Sequence, residues 1–112
     1  MEETRRQQKV GTVLKQDLAT LFQRESRSMF GGAFITVTVV RVTSDLSFAK
    51  VYLSILGTNS EEVIKSTNKQ AKEIRHIIAK QVRHQMRKVP AFQFYVDDSL
   101  DYYDEINNLL KK

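Results

Sequence analysis

Lysine and arginine side chains are concentrated in residues 61–88, at a spacing that could bind phosphate groups. This stretch carries eight Lys or Arg against three acids, a local balance of 8 − 3 = +5, which equals the net charge of the 112-residue chain. Residues three or four positions apart lie on one side of an α-helix. The candidate phosphate-binding residues are Lys65, Lys69, Lys72, Arg75, Lys80, Arg83, Arg87 and Lys88. The spacing predicts a helical face rich in positive charge, extended by His76 and His84.

A basic helical face has two interpretations. It can be a solvated surface that keeps a small domain soluble. It can also bind nucleic acid, because Lys and Arg that neutralise phosphates release condensed counterions. The charge is segregated along the chain, since residues 89–112 carry two Lys or Arg against five acids. Segregated positive charge favours the nucleic-acid interpretation.

Other kinds of chemistry find little support in the residue types. The chain has no Cys, which excludes disulfides, thiolate metal sites and cysteine catalysis. Its two histidines lack Cys or carboxylate partners at ligand spacing, so no metal is expected. Asp97 and Asp98 would point to opposite faces of a strand, which argues against a catalytic pair. Asp98 or Ser99 is instead a suitable cap for the closing helix. The sequence therefore predicts a protein that is not an enzyme and has no cofactor and no small-molecule substrate.

The elements that must position the basic residues follow from the hydrophobic spacing. Apolar periodicity predicts a helix over residues 5–24, whose polar side carries three supporting phosphate contacts, Arg5, Arg6 and Lys9. The glycines at 31 and 32 interrupt the pattern. The remaining predicted elements are an antiparallel hairpin of strands 34–42 and 48–56, the basic helical region, a strand over 92–96 and a short closing helix over about 100–110.

The basic region is too long to be one straight helix. Residues 61–88 would span about 42 Å at 1.5 Å per residue, whereas the radius of gyration of a domain of this size is about 13 Å. We expect a break at the weak helix formers 66–68 or in the segment 70–73. Ser60 is the expected N-cap, with Glu61 and Glu62 in the first helical turn.

This order, α-β-β-α-α-β, resembles that of type II KH domains, and two segments resemble the ribosome-binding factor A family. Residues 42–54 are similar to its Asp-Leu-x-x-Ala-x-Val-Tyr/Phe strand signature. Residues 87–99 are similar to its Arg-x-x-Pro-x-Leu-x-Phe-x-x-Asp-x-Ser pattern, with Phe92 in place of Leu. The resemblance covers nearly the whole chain. The Gly-x-x-Gly loop of other KH domains is absent, and Glu73 stands where the family's Ala-x-Gly kink has glycine.

The resemblance implies an α+β fold, a single KH-like ribosome-binding domain over residues 1–112, with a three-stranded sheet and helices on one face. It implies a non-catalytic assembly factor that binds the immature small (30S) ribosomal subunit and its 16S rRNA and promotes late maturation, including processing of the 5′ end. No apolar segment resembles a signal peptide or membrane span, so we expect a cytoplasmic monomer. Two alternatives stay open: a general single-stranded RNA- or DNA-binding KH-like module, and a protein-interaction module with a basic face.

Overall fold

Seven elements make up the described part of the chain. The computed structural model describes residues 4–56 and 59–97, so the predicted closing helix lies outside the described residues. The elements are α1 (Arg5–Arg24), α2 (Ser26–Met29), β1 (Phe34–Val42), β2 (Phe48–Leu56), α3 (Ser60–Lys69), α4 (Ala71–Val82) and β3 (Ala91–Val96). The predicted α+β order is confirmed, and the one-turn helix α2 is an addition to it.

The three strands form one mixed sheet with β2 in the centre. β1 and β2 are antiparallel, as predicted, with Phe34 opposite Leu56 and Val42 opposite Ala49. β3 runs parallel to the other edge of β2. A parallel neighbour requires a crossover connection, which α3 and α4 supply. The ladder is interrupted by a bulge at Thr38, where the register shifts between Val37 and Val39.

A single apolar core lies between the helices and one face of the sheet. Phe22 of α1 is 1% exposed, and its ring lies 4.8 Å from that of Phe30 and 5.9 Å from that of Phe94. On the opposite face of the sheet, Phe34 is 63% exposed and Leu56 is 55% exposed. The helices therefore cover one face, as expected from the resemblance.

Three residues near the start of α1 hold this helix against β1. Thr4 and Gln7 form a capping box: the Gln7 backbone N–H donates to Thr4 Oγ1, and the Thr4 N–H donates to Gln7 Oε1. The Gln7 Nε2 group also donates to the Val42 carbonyl oxygen at 2.8 Å. Gly11 lies so close to the strand that a Cβ atom would be 3.3 Å from the Val40 carbonyl oxygen. The first turn of α1 is thus fixed beside the end of β1.

The expected break in the basic region occurs at Gln70, inside the predicted segment 70–73. Gln70 separates α3 from α4 with φ −94° and ψ 7°, and its Nε2 group donates to the Met29 carbonyl oxygen at 2.8 Å. This break needs no glycine because φ is negative and the side chain is anchored to the end of α2. The predicted cap at Ser60 is wrong by one residue. The N-cap is Asn59, whose amide oxygen accepts hydrogen bonds from two backbone N–H groups of the first turn.

The side chain of Asn68 takes the place of a neighbouring strand at the outer edge of β3. Its Nδ2 group donates to the Phe94 carbonyl oxygen at 3.0 Å, and its Oδ1 atom accepts from the Phe94 N–H at 2.8 Å. Both backbone groups of Phe94 are partly buried, so they need these partners. This pair of bonds joins the end of α3, next to the break, to the third strand.

We expect Asn68→Ala to lower the free energy of unfolding by about 1–3 kcal/mol, because it leaves two partly buried backbone groups of Phe94 without partners. Asn68→Asp should lose at least as much stability at neutral pH, since its carboxylate accepts a hydrogen bond from the Phe94 N–H but repels the Phe94 carbonyl oxygen. Urea unfolding measures the free energy of unfolding of both variants. At acid pH the protonated Asp can donate again, so the deficit of this variant relative to the wild type should shrink. Wild-type stability of either variant at neutral pH would contradict the role of Asn68.

Candidate nucleic-acid interface

All eleven predicted phosphate-binding residues are exposed, but they do not form one helical stripe. Lys65 and Lys69 lie on α3, whereas Lys72, Arg75 and Lys80 lie on α4. The prediction that one helical face extends to the end of the basic region is wrong. Four residues predicted on that face lie after the end of α4: Arg83, His84, Arg87 and Lys88. The physical reason is that the helix ends at Val82, and residues 83–88 form a turn followed by irregular backbone that leads to the third strand.

A first cleft lies between α4 and the segment that leads into β3. It has a volume of about 350 Å³ and is called here the α4 cleft. Its lining residues are Lys72, Arg75, His76, Ala79, Arg87, Lys88 and Val89. Four of these are cations and none is an acid. An anion such as a phosphate is the ligand that this charge would attract.

Arg75 holds the two walls of the α4 cleft together. Its Nε group donates to the Val89 carbonyl oxygen at 2.9 Å, which ties α4 to the segment before β3. Val89 and Pro90 are buried, so this segment is anchored in the core. A guanidinium has five N–H donors, and this bond uses one of them. Arg75 therefore has a structural role and retains donors for a ligand.

A second cleft brings the start of α1 next to the end of the basic region. It has a volume of about 490 Å³, lies beside the turn between β1 and β2, and is called here the turn cleft. Its lining residues are Arg6, Lys9, Val10, Asp45, Leu46, Gln85, Met86, Arg87 and Lys88. Arg87 and Lys88 line both clefts. The structure thus joins six predicted residues, called here the cleft cations: Arg6, Lys9, Lys72, Arg75, Arg87 and Lys88.

The other predicted residues lie apart from this pair of clefts. Lys65, Lys69, Lys80 and Arg83 line neither of them, and Arg5 lines a separate depression on α1. The residues that sequence reasoning missed are Asp45, Leu46 and Met86. The Asp-Leu pair does open the strand signature of residues 42–54, which is a signal, but its spacing alone indicated only a turn.

Acids in the described part of the chain do not form ion pairs with the cleft cations. Within residues 4–56 and 59–97, none of them has a carboxylate at ion-pair distance, and the ion pair between Arg24 and Glu25 at 3.2 Å lies outside both clefts. Asp45 is the one acid lining the turn cleft. Hydrogen bonds from Ser47 and then Thr43 lower the pKa of Asp45 to about 2, so it is ionised at neutral pH. Among the described residues, both clefts therefore present positive charge that no carboxylate pairs with.

Two features found in other classes of protein are absent from residues 4–56 and 59–97. In that part of the chain, no three His, Asp or Glu side chains come together in a way that could hold a metal ion. Nor does it contain a helix with the length and apolar character that crossing a membrane requires.

Known proteins similar to this chain share one description. Residues 6–110 match the family model described as ribosome-binding factor A. A ribosome-binding factor A from Christiangramia forsetii is 50% identical over 113 residues, covering 99% of this chain and 86% of that protein. The crystal structure of ribosome-binding factor A from Thermus thermophilus superposes with a TM-score of 0.68 at 22% identity, covering 80% of this chain and 94% of that one.

A second structural match involves the same Thermus protein. Its homology model, fitted into the cryo-EM map of a 30S complex, superposes with a TM-score of 0.51 at 20% identity. The match covers 72% of this chain and 96% of that one. At these identities the two superpositions concern the fold alone.

Proposed function

Because the chain belongs to the ribosome-binding factor A family, we propose that it is an assembly factor that binds the immature small (30S) ribosomal subunit through its 16S rRNA. One observation carries this proposal: two adjoining clefts share Arg87 and Lys88 and are lined by six cations, none of which has a carboxylate of residues 4–56 or 59–97 at ion-pair distance. The Thermus protein of the same family, described as part of a 30S complex, supports the choice of target.

The proposed mechanism is binding without catalysis. A protein that binds an immature RNA conformation more tightly than the mature one shifts the population toward the state it prefers. It leaves when maturation rebuilds its site. By this route the protein promotes late maturation of the small subunit, including processing of the 5′ end of 16S rRNA. It acts as a monomeric domain in the cytoplasm, where the ribosome is assembled.

The cleft cations suit structured RNA because they lie on separate parts of the chain. α1, α4 and the segment before β3 each contribute, so the surface can contact phosphates on more than one RNA strand. Each phosphate contact contributes about −0.7 to −0.9 to the slope of log affinity against log salt concentration. If all six cleft cations bind phosphate, we expect a slope of about −4 to −5.

Co-sedimentation across a salt series tests the proposal. The purified protein is mixed with immature small subunits, mature small subunits and free 16S rRNA. We expect binding to the immature subunit to persist at salt concentrations that release the protein from the other two. Equal, steeply salt-sensitive binding to all three would instead indicate a general single-stranded nucleic-acid-binding module. Binding that does not respond to salt would contradict the phosphate surface.

A further inference from the structure

The turn cleft has a larger apolar floor than the α4 cleft, whose apolar lining residues are Ala79 and the buried Val89. Val10, Leu46 and Met86 come from three distant parts of the chain, are half-buried and pack against the core. The other lining residues are Asp45, Gln85 and the four cations Arg6, Lys9, Arg87 and Lys88. A site for phosphate alone has no need of an apolar floor. The cleft is therefore built for a ligand that is apolar on one part and anionic on another.

Leu46 reaches this floor in an unfavourable backbone conformation. Its φ is 61°, in the left-handed region that residues with a Cβ atom seldom adopt, and no other described residue except glycine has positive φ. The turn holds it there, because the Leu46 N–H donates to the Thr43 carbonyl oxygen at 2.9 Å. Strained residues of this kind are frequent at ligand-binding sites. The strain here keeps a leucine side chain in the floor of the cleft.

Asp45 decides how the ligand lies in the cleft. Its Oδ1 atom accepts hydrogen bonds from the Thr43 hydroxyl at 2.8 Å, the Ser47 hydroxyl at 2.7 Å and the Ser47 N–H at 3.1 Å. An ionised carboxylate has about four acceptor positions, so it can take a further N–H donor. It repels a phosphate placed beside it. The anionic part of the ligand must therefore lie toward the four cations and away from Asp45, and a part with an N–H group toward Asp45.

We propose that the turn cleft binds one unpaired RNA nucleotide, with its base on the floor formed by Val10, Leu46 and Met86 and its flanking phosphates on the four cations. Every base has an apolar face and every standard base carries N–H donors, which match the floor and Asp45. This inference rests on the proposed function, because it assumes that the clefts bind RNA. It adds that the turn cleft binds the base of an unpaired nucleotide, whereas the proposed function alone requires only phosphate contacts.

The experiment compares two RNA hairpins with equal charge. One carries a single bulged nucleotide, and the other carries an abasic nucleotide at the same position. Fluorescence anisotropy at low salt should show that the wild-type protein binds the hairpin with the base roughly fivefold or more tightly, because placing one base face on the floor removes apolar surface from water. Equal affinities, or binding to neither hairpin, would overturn the base site. Preferential co-sedimentation with immature subunits would still stand in either case, so failure of this inference is distinguishable from failure of the proposed function.

Variants locate the base within the protein. Leu46→Gly removes the floor side chain and relieves the strain, because glycine adopts positive φ readily. It should abolish the preference for the hairpin with the base and leave the affinity for the abasic hairpin unchanged. Leu56→Ala is the matched control. This exposed leucine is the last residue of β2, so it lies at the opposite end of the β1–β2 pair from the turn and outside the cleft. A preference that survives in Leu46→Gly would overturn the assignment.

A measurement on the wild-type protein avoids dependence on the folding of a variant. The chain has three methionines, so the methyl group of Met86 can be labelled and followed by NMR, and a base stacked on the floor should shift its signal through the ring current. We expect this shift with the bulged hairpin and not with the abasic one. Identical Met86 signals with the two hairpins would overturn the base site.

Discussion

Replacing Lys72, Arg87 and Lys88 together by glutamate should weaken binding to immature small subunits on the order of 100-fold or more. Each of these residues lines the α4 cleft, and two of them also line the turn cleft. Three phosphate contacts would be lost and three repulsive charges introduced. Arg75 is left in place because its bond to the Val89 carbonyl oxygen supports the fold. Quantitative co-sedimentation at one fixed salt concentration measures the loss.

A second triple variant controls for the change in overall charge. Arg27, Arg41 and Lys50 are exposed and line neither cleft. Reversing either triple changes the net charge from +5 to 5 − 6 = −1. The control triple should retain most of the binding. Equal losses in the two variants would show that overall charge, and not the pair of clefts, determines binding.

The sequence predicts the elements best where one face of an element is buried along its whole length. The bounds of α1, β1 and β2 agree with the prediction because the apolar spacing repeats over several turns or alternations. α2 has four residues, which is too short for any period to show. The cap of α3 was misplaced by one residue because Asn59 and Ser60 are both good capping residues. Only the direction of the side chain distinguishes them.

The candidate site is less predictable than the fold because it depends on contacts between distant residues. Helical spacing correctly predicts that the cations are exposed. It does not predict that Arg6 and Arg87, 81 positions apart, line the same cleft. The proximity of these two residues depends on the hydrogen bond from Gln7 to the Val42 carbonyl oxygen and on the parallel pairing of β3 with β2. Neither contact can be predicted from residue spacing within one segment.

Phe22→Ala should lower the free energy of unfolding by about 3–5 kcal/mol. The side chain is 1% exposed and joins α1 to Phe30 after α2 and to Phe94 on β3. Removing it leaves a cavity where three parts of the chain meet. Domains of this size are commonly stable by about 5–15 kcal/mol, so the loss is a large fraction of the total. Urea unfolding followed by circular dichroism measures it.

Phe34→Ala is the matched control, because the same side chain is removed from a position that is 63% exposed. We expect a change of about 0.5 kcal/mol or less. Similar losses in the two variants would contradict the assignment of Phe22 to the centre of the core.

Phe22 lines neither the α4 cleft nor the turn cleft. Phe22→Ala should therefore bind immature subunits normally under conditions where it remains folded. Binding that declines only with the unfolded fraction would show that Phe22 contributes to stability and not to affinity.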